Sequence, residues 1–62
     1  MINQDKVKEN KYLVEELKYQ ATGIVVECEQ LLNGWFFSEE YIDEKISKIN
    51  ALYNNIKEEC QN

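Results

Sequence analysis

With no His in this chain, carboxylates, thiols and amines are the groups whose types and spacing could carry chemistry. Glu39 with Asp43, and Glu40 with Glu44, are pairs four residues apart. On a helix each pair shares a face and could hold a hard cation. The same acids would open a helix, where negative charge complements the positive end of the dipole, and that role accounts for them without an ion. Acid–base catalysis needs a carboxyl tuned by a pocket, and a chain of 62 residues offers little volume for one. Cys28 and Cys60, unsupported by His, make a poor zinc set. No Gly-rich phosphate loop occurs. The sequence predicts no catalytic residue, metal, cofactor or small-molecule substrate, so it does not read as an enzyme.

The amines are no better placed for nucleic acid. Seven Lys stand against twelve Asp and Glu, giving a net charge of −5, and there is no Arg to read phosphate or guanine. Lys11 and Lys18 recur on one edge of a helix and carry an alternative reading, an RNA-binding hairpin dimer, but Glu9, Glu15 and Glu16 dilute that stripe. A solvated face is the preferred reading. The acidic surface instead suits solubility or a basic partner.

Aromatic residues give the clearest pointer to binding. Trp35-Phe36-Phe37 cannot all turn inward from a short loop. Two would plug the end of a helical core, while an exposed Trp is a common interface anchor. Tyr12 and Tyr19 repeat at seven residues with Gly23 nearby, on the side taken to lie opposite the main apolar seam. Trp35, Phe36, Tyr12 and Tyr19 are therefore the candidate partner-binding residues, the partner being another protein.

These residues must be positioned by two helices. Asn33-Gly34 closes an apolar periodic run, and Gly tolerates the left-handed conformation that ends a helix. Ser38 is a good N-cap for the second helix, with Phe37 and Ile42 placed to form a hydrophobic staple across it. The spacing predicts a first helix over about 4–32, a loop over 33–38 and a second helix over about 39–60. Proline is absent, as uninterrupted helices require. A short loop between long helices implies antiparallel neighbours.

In the first helix a heptad frame places Val7, Val14, Ala21 and Cys28 at one seam position and Asn10, Leu17, Ile24 and Leu31 at the other. Asn10 is its polar exception, read as a water-facing end residue. The second helix presents Ile42, Ile46, Ile49, Tyr53, Ile56 and Cys60. Cys28 then falls near the loop and Cys60 at the open end, roughly 25–35 Å apart at 1.5 Å per residue, far beyond disulfide reach. Cys28 reads as a small buried hydrophobe and Cys60 as a fraying-end thiol.

A chain this small buries only about 60% of its unfolded surface, so one hairpin seam is a marginal core. Val25, Val26 and Leu32 broaden the apolar surface beyond what a two-helix seam uses. The expected architecture is an all-α antiparallel helical hairpin forming a single domain, paired as a homodimeric four-helix bundle through Ala21, Ile24, Val25 and Leu32. The expected function is a non-catalytic protein–protein interaction module, an adaptor, inhibitor or regulator; a structural assembly subunit is the third alternative. No stretch reaches the roughly 20 apolar residues of a membrane span, and two cysteines without a secretory core point to the cytoplasm. The Asn-, Lys- and Ile-rich composition suits an AT-rich bacterial or phage genome.

Overall fold

The structure is a computed structural model and describes residues 1–61. The described chain is all-helical: α1 spans Gln4–Glu9, α2 Lys11–Leu32 and α3 Glu39–Glu59. The two long helices, α2 and α3, pack against each other over most of their length. They form a hairpin with extents of 44 × 17 × 16 Å.

The turn at 33–38 is built by its own sequence. Gly34 adopts φ +74°, while the Trp35 amide donates to the Gln30 carbonyl at 2.9 Å and the Gly34 amide to the Leu31 carbonyl at 3.1 Å. This paired closure caps carbonyls that the helix end leaves free, and it needs a residue without Cβ in the left-handed position. Ser38 then starts α3, its hydroxyl oxygen accepting from the Tyr41 amide at 3.2 Å. Glu39 and Glu40 occupy the first turn. Tyr41 stands where a capping box would carry Glu or Gln, leaving the Ser38 amide without its usual partner. Glu27 of α2 supplies one from across the hairpin, its carboxylate accepting from Ser38 N at 3.4 Å.

The first helix is divided where one continuous element is expected. Asn10 has ψ +31°, and its side-chain amide donates to the Lys6 carbonyl at 2.9 Å. Short amide side chains compete with the helical ladder for backbone groups in this way. Asn10 is thus the joint between α1 and α2, and α1 is free to fold onto the open end of the hairpin. Asn3 caps α1, accepting from the Asp5 and Lys6 amides. The Asn3 amide itself donates to the Cys60 carbonyl at 2.7 Å. Ile2 pairs with Gln61 in an antiparallel bridge, and Lys6 Nζ donates to the Gln61 carbonyl at 2.6 Å. These contacts clasp the two chain ends together.

The core sits at that clasped end. Leu13, Ile56 and Cys60 are buried, with Val7, Leu17 and Leu52 packed against them. Cys60 is 0% exposed, which reverses the expectation for both thiols: Cys60 is the buried one and Cys28 lies on the surface. The clasp at Cys60 and Gln61 removes the fraying that exposure of Cys60 would require. Both thiols are free.

The seam also runs one step round α2 from the expected frame. Leu13, Leu17, Gln20, Ile24 and Glu27 face α3, while Val14, Ala21 and Cys28 are exposed. On α3 the inward positions are Ile42, Lys45, Ile49, Leu52 and Ile56, and Ile46 and Tyr53 are exposed. The i,i+4 pair Glu44–Lys48 forms at 3.0 Å on the outer surface.

Candidate interaction surfaces

The rotated seam divides the remaining surface into two unlike flanks. One carries a polar cluster. Gln20, the single buried polar residue among those described, donates from Nε2 to Glu16 at 2.8 Å and accepts from Lys45 Nζ at 2.7 Å. Lys45 Nζ also lies 5.5 Å from the Tyr19 ring centroid and 5.1 Å from that of Tyr41, within cation–π range. Gly23 lies beneath this cluster, where a Cβ would come within 2.8 Å of the Tyr41 hydroxyl and 3.1 Å of Lys45 Cε. The Gly therefore admits side chains of α3. Tyr19 and Gly23 are beside the seam, correcting their expected placement opposite it. Both Tyr12 and Tyr19 remain largely exposed.

The other flank is apolar. Side chains three, four and seven apart share a helix face, so Val14, Ala21, Val25, Cys28 and Leu32 form one strip along α2. Ile46 and Tyr53 of α3 flank the same side of the seam, away from Tyr41 and Lys45. All seven are exposed, Leu32 at 87%. Of the four expected interface residues, Ala21, Val25 and Leu32 lie on this strip, and Ile24 is half-buried at its edge. The loop aromatics divide differently from the expected two in and one out: Trp35 and Phe36 are exposed, and only Phe37 is half-buried beside Ser38.

The whole chain exposes 4870 Å². Surface scaling gives roughly 4,200 Å² for a compact monomer of 7.4 kDa, and the excess is the signature of a two-helix rod with one stripe covered. Among the described residues no three His, Cys, Asp or Glu side chains converge as a metal set. No described helix is long and apolar enough to cross a membrane. A depression lined by Asn54, Lys57, Glu58 and Gln61 is wide open to solvent. Lys11 of the basic edge pairs with Glu15 at 3.5 Å.

No protein-family model, curated protein or solved structure matches this chain.

What sequence reasoning missed is the Gln20–Lys45 pair. Both residues stand at heptad spacing from seam neighbours, Gln20 seven from Leu13 and Lys45 four from Ile49. An apolar-only search passes over them.

Proposed function

We propose that this chain is a non-catalytic protein–protein interaction module, working as a homodimeric four-helix bundle that presents its aromatic loops and tyrosines to a partner protein. The observation that carries this reading is the apolar flank from Val14 to Leu32, left open along the rod beside Ile46 and Tyr53. One broad side of the hairpin, 44 × 17 Å, is roughly 750 Å², close to the ~800 Å² per partner of a standard stable interface. A second copy of the same flank would cover it and complete a core that one hairpin leaves half built. Trp35 and Phe36 at the loop, and Tyr12 and Tyr19 on the polar flank, stay outside that contact. They would serve as anchors for the partner, as exposed Trp and Tyr do at interfaces.

Light scattering in reductant over a wide concentration range tests the assembly. The expected mass is twice 7.4 kDa, and Val25→Asp should return the chain to monomer while it stays helical, because the new carboxylate would be desolvated in the contact. A wild-type monomer at millimolar concentration would end the bundle reading. Growth into large open oligomers would favour a structural assembly subunit.

A further inference from the structure

We infer that the two hairpins pair with their loops at opposite ends, on a two-fold axis crossing the rods near Ala21. This rests on the dimer proposed above and adds its orientation.

The decisive observation is how charge is distributed along the rod. The loop half, residues 23–44, contains Glu27, Glu29, Glu39, Glu40, Asp43 and Glu44 and no Lys at all. Every one of the seven Lys lies in the open half, against the remaining six acids. One half of the rod is therefore −6 and the other +1. The hairpin contacts show which residues share a level. Glu27 reaches Ser38, which places Glu29 and Glu39 together near the loop. Leu13 packs with Ile56, which places Lys11 and Lys57 together near the open end.

Two closed arrangements would bury the apolar flank. With both loops at one end, each α2 lies along the other copy's α3 at matching levels. Lys11 then meets Lys57 of the second copy, Glu29 meets its Glu39, and the two −6 halves stack. With loops at opposite ends, α2 runs antiparallel to the second α2 and α3 to the second α3. Lys11 then meets Glu29, Lys57 meets Glu39, and each acidic half lies along a basic one. Helices in a bundle stand about 8–10 Å apart, within roughly one Debye length at physiological salt, so these rows of charge act on each other. Charge complementarity of this kind selects register and orientation more than it adds affinity. The small Ala21 at the crossing allows close approach, and Val14 then falls level with Cys28 of the second copy.

Spin labels at the loop separate the two arrangements. Asn33→Cys in a Cys28→Ser background gives one reactive thiol per chain, since Cys60 has no exposed surface. Loops at opposite ends place the two labels about 35 Å or more apart, from twelve residues of helix on either side of the axis at 1.5 Å each. Gln4→Cys in the same Cys28→Ser background, at the clasped end, should give a similarly long distance in an independently folded variant. Distances below about 25 Å from either label would overturn the orientation. The mass of each labelled sample is measured in parallel. A monomeric mass with no inter-label distance would instead overturn the dimer, so the two failures are distinguishable.

Discussion

Ile56→Ala is expected to cost about 2–5 kcal/mol and to leave the chain only marginally folded at room temperature. Among the described residues only Leu13, Ile56 and Cys60 form the buried apolar core, and Ile56 faces it from the last turns of α3. A single-core domain of this size has roughly 3–5 kcal/mol in hand, so a cavity here removes most of it. The same substitution at Ile46 deletes an equal volume from a half-exposed site, and its effect on the monomer should be far smaller. Urea denaturation followed by circular dichroism, in the Val25→Asp background that keeps both variants monomeric, compares the two. Equal losses would mean that the core does not lie at the clasped end.

Lys45→Ala is the second large effect, at about 1–3 kcal/mol. It removes the donor that satisfies the buried Gln20 carbonyl oxygen and the cation lying over Tyr19 and Tyr41. The half-buried position of Lys45 keeps the loss below that of a fully buried ion. The double variant Gln20→Leu/Lys45→Leu should recover the lost stability or exceed the parent, because no polar group is then stranded. It should also weaken the level at which α2 faces α3, since one polar layer in an apolar seam sets register. A double-mutant cycle on the denaturation midpoints measures the coupling. A neutral Lys45→Ala would show that water replaces the ammonium at no cost.

The hairpin was legible because its punctuation is local. Asn33-Gly34 and Ser38 act through their own backbone conformation and hydroxyl, whatever else packs nearby. The seam register was not legible, because it depends on groups remote in sequence. Gln20 and Glu27 would be rejected from an apolar seam on type alone, yet Lys45 and the Ser38 amide meet them there. Val14, Ala21 and Cys28 look like core by the same rule and lie outside, because one partner helix covers only one stripe. Asn10 stands out in the sequence as a polar exception, but its action as a joint depends on α1 finding Cys60 and Gln61 at the far end of the chain. Of the candidate binding residues, exposure of Trp35 and Phe36 follows from the short turn. The place of Tyr19 beside Lys45 required the true rotation of α2.

The clasp between Asn3 and Cys60 also governs how the molecule meets mechanical load. Pulled from its two ends, the hairpin is loaded across its helices, so tension reaches the Asn3–Cys60 hydrogen bond and the Ile2–Gln61 bridge first. Each row then peels in turn toward Gly34, in unzipping geometry, and no set of bonds shares the force. Held instead at the loop and at the amino end, the tension runs along α2 itself, whose own ladder must give way while the Leu13–Ile56 and Gln20–Lys45 layers hold it against the unloaded α3. Single-molecule stretching should find a low rupture force in the first geometry and a clearly higher one in the second. The hairpin should therefore open more easily from its clasped end than along its length.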